Sequence, residues 1–485
     1  MQIKRELSRI VGAENVTNEP ERLRAYAKDY SLGEVRLPNY VAEPKGVEEI
    51  QEIIKLANRN RIPVVTCSSG IHFYGNTIPS QGGIILDLRR MNKILNIDER
   101  NRVVMIEPGV TWGQLQDELE GHEAMALIPL LPHPLKSALT SHLEREPMLV
   151  PKFEYADALL TTEVVLPSGE LFRTGSACVP GFPNESAADG VNPEGPGIDW
   201  WRLLQGAQGT MGVVTWANVK FEYKPKMNMS FFIPFKNLND AAELIYRTQR
   251  RMIGHECLLL NNTVLAAILT GKWPEEYEAM KGTLPPWTLI IILSGGPRRP
   301  EEKIAYEEEA LREIAIESFV PDLPTSLASI PGLEKNFPEL IRKPWPKGKT
   351  YWKFGYKGSC QDLFFITSLS RTSEFTRAIS AIASKYGYPL ADIGIYIQPL
   401  ENGRVCHYEC SFYYNPSEPR DVDKIRNLFA EAAKTVLNMG AFFSRPYGPI
   451  ADMVYERAAN YTLVLKKIKG LLDPNNIMSP GRLCF

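Results

Sequence analysis

Residues 64–88 read as a buried strand, VVTC, a loop, SSGIHFYGNTIPSQ, and a second buried strand, GGIILDL. The loop constrains the fold because backbone leaving a buried strand end must find partners for its own N–H groups. Small residues let such backbone come close to a ligand, and successive N–H groups can form a nest for an anionic pyrophosphate. Ser68, Ser69, Gly70, Gly75 and Asn76 fit that use, and a plain strand–loop–strand connection fits them equally. Neither GxGxxG nor GxxxxGK[ST] is present, so the two commonest phosphate fingerprints do not apply.

The surroundings of the loop alternate helix and strand. KGVEEIQEIIKLANRNRIP has helical apolar spacing and runs into the strand IPVVTC. RVVMIEPGV reads as a strand, with 96–102 as a turn-rich connection before it. TWGQLQDELEGHE reads as a short helix with Thr111 as its N-cap. ALLTTEVVLPSGELFRTG reads as a hairpin, and GTMGVVTWANVKFEYKP as a strand entered through glycines. The pattern changes at 223–226. Strands MSFFIPF, ECLLLNN and WTLIIILSGG then interleave with the helices LNDAAELIYRTQRRM and PEEKIAYEEEALREIAIE. A long hairpin, DIGIYIQPLENGRVCHYECSFYYNP, precedes the helix DVDKIRNLFAEAAKTVLNMG. Strands that feed helices and long hairpins predict an α+β unit on an antiparallel sheet. Residues 180–197, rich in Pro, Gly and Asn, are expected to form a mobile surface loop.

The chain of 485 residues is long enough for two or three domains. Its formal net charge of -2 argues against a nucleic-acid footprint. No apolar run reaches the length of a membrane span, and the polar start MQIKRELSRIVG lacks a signal-peptide core, so a cytoplasmic protein is expected. The seven cysteines are scattered without metal or disulfide spacing. They are expected to be buried free thiols, and no metal site is expected.

Taken together, the 64–88 segment, GGIILDLRRMNKILNID, VVMIEPGVTWGQLQDEL, EVVLPSGELFRTG, GTMGVVTWANVKF and the closing LLDPNNIMSPGR resemble the vanillyl-alcohol oxidase and p-cresol methylhydroxylase family. The resemblance implies a two-lobed FAD-binding domain of the p-cresol methylhydroxylase type with an α+β cap domain. The expected division is 1–223 for the FAD-binding part, 224–440 for the cap and 441–485 for a segment that returns to the flavin. It implies FAD, with the pyrophosphate on Ser68, Ser69, Gly70, Ile71, His72, Gly75 and Asn76. Further implied contacts are the Pro108-Gly109 turn, then Thr140, Ser141 and His142, where the family usually has glycines. Gly209, Thr210, Gly212, Val213 and Val214 are implied under the isoalloxazine, and Arg482 on the returning tail. His72 lies one position from where another branch tethers its flavin, so non-covalent FAD is expected.

At the reacting end, Tyr74 matches a tyrosine that binds a phenolate oxygen in the phenol-oxidising branch, and Tyr447 matches its partner. The family's third donor is an arginine directly after that second tyrosine; here the position is Gly448, and Arg445 is the available substitute. The acidic base of the oxidase branch falls at Pro132, beside His133, whose neutral imidazole is a candidate base. In the strand RVCHYECSFYY, His407, Glu409 and Ser411 share one face, with Cys406, Tyr408 and Cys410 on the other. His407 is a second candidate base, and a solvent-facing polar pair with Glu409 is the alternative. One His and one Glu are too few for a zinc site.

The resemblance therefore implies a flavin-dependent dehydrogenase or oxidase. The expected substrate is a small molecule, a 4-alkylphenol or 4-hydroxybenzyl alcohol, oxidised by hydride transfer to flavin N5. The electron acceptor is oxygen, a cytochrome or an electron-transfer flavoprotein, and a homodimer or a complex with an electron-transfer partner is open. A 2-hydroxy-acid dehydrogenase of the glycolate or D-lactate kind is the alternative enzyme. A flavin-binding electron-transfer subunit with no substrate of its own is the alternative outside catalysis.

Overall fold

The computed structural model describes residues 2–150, 158–182, 190–320 and 322–485. A small sheet comes first, built from β1 (Val16–Thr17), β2 (Tyr40–Ala42), β3 (Val64–Cys67) and β4 (Ile84–Asp87) in the order β1-β2-β4-β3. Strands β3 and β4 are parallel neighbours. Parallel neighbours require the chain to return to the starting end, normally through a helix. Here the return is made by the loop 68–83, which therefore runs back along the molecule as irregular backbone. The helix Val47–Asn60 covers the sheet. Its Ile50, Ile53, Ile54 and Ala57 recur at helical spacing and pack on Val64, Ile84 and Leu86.

The tail closes this sheet. Val64 N donates to Ile477 O at 2.7 Å, and Ser479 N donates to Val64 O at 2.8 Å. Lys469, buried, donates from Nζ to the Asp473 carboxylate at 2.6 Å and to Thr210 O and Met478 O at 2.7 and 3.0 Å. A single buried cation thus ties the tail to the 206–212 loop.

The second sheet contains β5 (Ile94–Asp98), β6 (Val103–Ile106), β7 (Ala124–Ala126), β8 (Leu159–Val165), β9 (Leu171–Arg173) and β10 (Val213–Tyr223). Its order is β5-β6-β10-β8-β9, with β7 also on β10, and every pairing is antiparallel. The expected 96–102 connection is shorter than it reads: Asn96 to Asp98 belong to β5, and only the following residues turn. Ile94 and Ile97 pack on the core beneath, which holds them in a strand despite the polar neighbours. Residues 183–189 of the expected surface loop, and 151–157 of the segment before β8, lie outside the described residues.

The third sheet is wholly antiparallel: β11 (Met227–Phe235), β12 (Glu256–Asn261), β13 (Trp287–Gly295), β14 (Ser359–Thr367), β15 (Ile393–Leu400) and β16 (Val405–Tyr414), in the order β11-β13-β12-β15-β16-β14. Helices Leu238–Arg250, Pro300–Glu317, Thr372–Lys385 and Pro419–Asn438 cover one face, burying Leu244, Leu311, Phe375 and Leu428 against Leu363, Phe365, Tyr408 and Cys410. Residues of the other face join a core shared with the second sheet, in which Phe232, Leu258 and Ile290 meet Val104, Ile106 and Trp112. The molecule is thus mixed helix and sheet, with a long antiparallel sheet that shares a core with the second sheet. Cys67, Cys257, Cys360, Cys406 and Cys410 are buried free thiols as expected, while Cys178 is exposed and Cys484 half-buried. Among the described residues no helix is long and apolar enough to cross a membrane.

Candidate active site

A groove runs between the loop after β3, the helix Ala138–Leu143 and the glycine-rich turn before β10. Among the expected flavin contacts, Ser68, His72, Asn76, Pro108, Thr140, Gly209, Gly212 and Val214 line it, together with Thr66, Thr77 and Gln208. The local chemistry explains how they converge. Ser137 caps the helix, accepting from Thr140 N at 3.0 Å, and its Oγ donates to Pro108 O at 2.6 Å. Ser68 Oγ and Thr140 Oγ1 share a hydrogen bond of 2.5 Å that joins loop to helix. A Cβ added to Gly209, whose φ is +74°, would lie 2.9 Å from Thr66 Oγ1 and 3.0 Å from Ser479 Oγ. Only glycine fits that crossing of turn, strand and tail.

The groove suits a dinucleotide. Its polar lining is neutral apart from Glu144, it has a floor that a side chain would fill, and Ser479 Oγ is buried without a partner at that floor. The residues present therefore fit FAD.

Hydrogen bonds and packing behind the lining hold His72 and the expected contacts that do not face the groove. His72 is buried with Nε2 2.8 Å from Ser69 O and 3.4 Å from Cys67 Sγ, and burial lowers its pKa to about 4. Ser69 Oγ donates to Ile71 O, which holds the loop's first turn. Ser141 accepts from Trp112 Nε1 at 2.9 Å, and the His142 ring meets the Trp112 ring edge-on. Gly109 donates to Met91 O at 2.7 Å, and Thr210 Oγ1 donates to Ala207 O at 2.7 Å. Val213 packs in the core beneath β3. Gly70 has open space where a Cβ would stand. Gly75 and Arg482 line a neighbouring chamber, where Arg482 Nη2 donates to Gly75 O at 2.6 Å and also to Ile78 O.

That chamber, of about 440 Å³, lies between the segment 31–36, the loop 73–80, β14, the helix Pro419–Asn438 and the segment 443–453. The rings of Tyr74 and Tyr447 stack in its wall, with centroids 4.5 Å apart and planes within 9°. Phe364 meets both edge-on, and the Arg445 guanidinium lies 4.0 Å over the Phe364 ring. The pairing follows from two anchors. Phe442 exchanges backbone hydrogen bonds with Ile366 on β14, and Gln208 Nε2 donates to Pro446 O at 2.7 Å. The fold thus brings Tyr74, Tyr447 and Arg445 into one wall from positions more than 370 residues apart in number (445 − 74 = 371).

Behind this wall is a second, smaller pocket of about 60 Å³, which shares Phe73, Tyr74, Asp362 and Arg445 with the chamber. Two buried lysine clusters face it. Lys136 Nζ donates to Glu144 Oε2 at 2.7 Å and to Glu146 Oε1 at 2.5 Å, and Tyr74 donates to the same Glu146 oxygen at 3.2 Å. Lys353 Nζ donates to Asp362 Oδ2 and Glu409 Oε1, both at 2.6 Å, while Ser411 Oγ donates to Asp362 at 2.6 Å. His407 Nε2 lies 3.4 Å from Glu409 Oε2.

The register explains the second cluster. Asp362 stands opposite Ser411, Phe364 opposite Glu409 and Ile366 opposite His407, so these side chains share one face of the sheet, the face from which Asp362 and Glu409 line the small pocket. The solvent-facing alternative for His407 and Glu409 is excluded, since His407 is fully buried.

Burial raises the pKa of Glu144 and of Asp362, and their lysines only partly offset it. Burial also opposes ionisation of Glu146 and Glu409, but the lysine charges prevail, with Arg445 helping at Glu146 and His407 at Glu409, and both lie below the usual carboxylate range. Each cluster so pairs one firmly ionised carboxylate with one that holds a proton more readily. His133 lines the small pocket with its ring edge-on to Tyr351 at 5.2 Å, and burial lowers its pKa to about 4, leaving a neutral imidazole. Trp345 N donates to Pro132 O at 2.9 Å and Trp352 Nε1 to Leu131 O at 3.1 Å, which fixes this loop.

Lys136, Glu146 and Asp362 are absent from the sequence-based site. The available signal was a charge inside an apolar run, as in SCQDLFFIT, where a buried Asp demands a partner. Among the described residues, no cluster of His, Cys, Asp and Glu could hold a metal.

Comparison with known proteins bears on the fold and the cofactor. Residues 38–175 match the FAD binding domain family FAD_binding_4. A crystal structure of p-cresol methylhydroxylase with substrate bound superposes with a TM-score of 0.86 at 21% identity, covering 100% of this chain and 96% of that one. The glycolate oxidase subunit GlcD of Bacillus subtilis (strain 168) is 23% identical over 99% of this chain and 96% of its own length. The 4-cresol dehydrogenase [hydroxylating] flavoprotein subunit of Pseudomonas putida is 24% identical over 98% of this chain and 93% of its own.

Proposed function

We propose, from the premise that the chain is an FAD-dependent oxidoreductase with the fold of p-cresol methylhydroxylase, that it oxidises a 4-alkylphenol or a 4-hydroxybenzyl alcohol. The observation that carries this reading is the stacked Tyr74–Tyr447 pair with Arg445 across Phe364. In this assignment 1–223 and 441–485 hold the cofactor and 224–440 forms the cap. Bound FAD supplies the two-electron acceptor for a C–H bond on the carbon attached para to the phenol oxygen.

The chain's own residues prepare the substrate for that step. Two phenolic donors and a guanidinium converge where negative charge would gather on the substrate oxygen. Phe73, Phe364 and Phe443 form apolar walls that hold a flat ring and exclude water. The Tyr74 hydroxyl is already directed at Glu146, so a proton from the substrate hydroxyl has a route through Tyr74 to that carboxylate. His133, uncharged near neutral pH, and His407 beside Glu409 are the other candidate bases. An external acceptor, whether oxygen, a cytochrome or an electron-transfer flavoprotein, completes the cycle.

The similarity to a glycolate oxidase subunit favours a second reading, oxidation of a 2-hydroxy acid. Such a substrate needs a cation for its carboxylate. Lys136 and Lys353 each already hold two carboxyl groups, so in this second reading Arg445 would have to supply that cation. Anaerobic mixing decides between them. Loss of the flavin absorbance at roughly 450 nm is expected with 4-cresol, 4-ethylphenol or 4-hydroxybenzyl alcohol. Bleaching by D-lactate or glycolate, with none by any phenol, overturns the phenolic assignment.

A further inference from the structure

We infer that the substrate carries an anionic tail, a carboxylate or phosphate at the far end of its body from the phenol, and that Arg426 and Arg36 at the mouth of the large chamber select it. The inference rests on the phenolic reading above for the position of the head group.

Three observations support it. The first is size. At about 30 Å³ per water in the liquid, the 440 Å³ chamber corresponds to roughly fifteen waters. A cresol-sized molecule of eight or so non-hydrogen atoms (roughly half that number of sites on the same scale) leaves much of it unfilled.

The second is the gradient of exposure. Arg445 is 4% exposed at the inner end, where the chamber shares its wall with the small pocket. The side chains of Arg36 and Arg426 are each 51% exposed, which places them at the mouth.

The third is charge. Among the described residues the lining carries four arginines (36, 426, 445 and 482) and two carboxylates (Glu34 and Asp362), a formal balance of 4 − 2 = +2. Asp362 is further neutralised by Lys353 from outside the chamber. Arg482 donates to carbonyl oxygens rather than to a carboxylate, Arg426 pairs with Asp423 on the outer surface of its helix, and Arg36 pairs with the exposed Glu34 at the mouth. A cleft with apolar walls and a surplus of one sign concentrates the opposite charge, and guanidinium matches carboxylate and phosphate oxygens in two-point contacts. The body between the two ends would lie along Phe429, Ile450 and Met453, an apolar stretch that suits methylenes.

The test uses the flavin-loaded full chain. Its probes are a series of ω-(4-hydroxyphenyl)alkanoates, their primary amides, and the matching ω-phosphate monoesters. Two quantities are read: kcat/KM for flavin reduction, and binding by perturbation of the flavin spectrum, which requires no turnover. The acid or the phosphate should be preferred over the amide by about fivefold or more, the scale of one exposed ion pair. Arg426→Gln should abolish that preference and Arg36→Gln reduce it. Raising ionic strength from about 0.1 M to about 1 M, which shortens the screening length from about 10 Å to about 3 Å, should erode it in the wild type.

Which anion gains more identifies the tail. Equal binding of acid, phosphate and amide, or a preference untouched by both substitutions, overturns the inference while the phenolic reading stands. If no probe is oxidised but the anions still bind more tightly through Arg426, the phenolic reading fails and the anion site survives. Absence of binding by every probe overturns the anion site as well.

Discussion

Replacement of Lys353 by methionine tests the energetics of the cap-side cluster. Lys353 and its partners Asp362 and Glu409 are each only 13% exposed, and both contacts are 2.6 Å long. At an effective dielectric of about 20, a charge pair at that separation has a gross attraction of roughly 6 kcal/mol. Much of it offsets the cost of burying the lysine, so the expected net loss is the ~3–5 kcal/mol typical when one member of a buried ion pair is removed.

The pH dependence has a definite sign. Without the lysine, burial and the mutual repulsion of Asp362 and Glu409 outweigh the hydrogen bonds from Ser411 and His407, and the folded pKa values rise above the unfolded values of about 4. Carboxyls with raised folded pKa favour the folded state only while protonated. The variant's deficit should therefore be small near pH 4 to 5 and grow as pH rises through the raised pKa values. Urea unfolding of wild type and Lys353→Met, followed by cap tryptophan fluorescence at about pH 5 and pH 8, gives the two deficits. A further variant that adds Asp362→Asn and Glu409→Gln should recover at least half of the loss at pH 8, because no unpaired charge then remains. A deficit below about 1 kcal/mol, or one equal at both pH values, would refute the argument that paired charge governs this cluster.

Other outcomes follow from the same geometry. Tyr74→Phe removes one donor from the proposed oxyanion wall and should lower kcat for a phenol by about 10²-fold, with Tyr447→Phe similar; stopped-flow flavin reduction reads both, and an unchanged rate removes these tyrosines from the mechanism. Gly212→Ala places a Cβ 2.7 Å from Val165 O at a φ of +151°, and Gly209→Ala strains the crossing of turn and tail, so both variants should purify with less bound flavin per chain by the ratio of visible to ultraviolet absorbance. His72, held near pKa 4 by burial against 6.5 in the unfolded chain, makes stability fall as pH drops from about 6.5 to about 4, worth ~3 kcal/mol in full; His72→Gln should flatten that part of the profile, and an unchanged slope would show that the imidazole already titrates freely.

Much of the fold is legible in the sequence because its signals are local. Helical spacing in 47–60, apolar runs at 64–67 and 84–87, the turn at 401–403 and the period of two along β16 each follow from a few neighbouring residues. The family resemblance that these pieces carry in order implied a flavin at the loop after β3, and eight of the residues named for it line one groove. What local pattern could not supply is partnership across the chain. Strand β14 is easily overlooked because an Asp interrupts its apolar run, and that Asp is tolerable only because Lys353 arrives beside it from a separate turn.

The sequence by itself determined most of the elements, the loop of small residues after β3 and the alternation that places His407, Glu409 and Ser411 on one face, since these depend on backbone sterics and periodicity within a few residues. Only the tertiary structure decided which face is buried, which lysine neutralises which carboxyls, and that Tyr74 lies flat against Tyr447. Burial and Coulomb attraction depend on distance in space, and the fold brings close what the chain holds hundreds of residues apart.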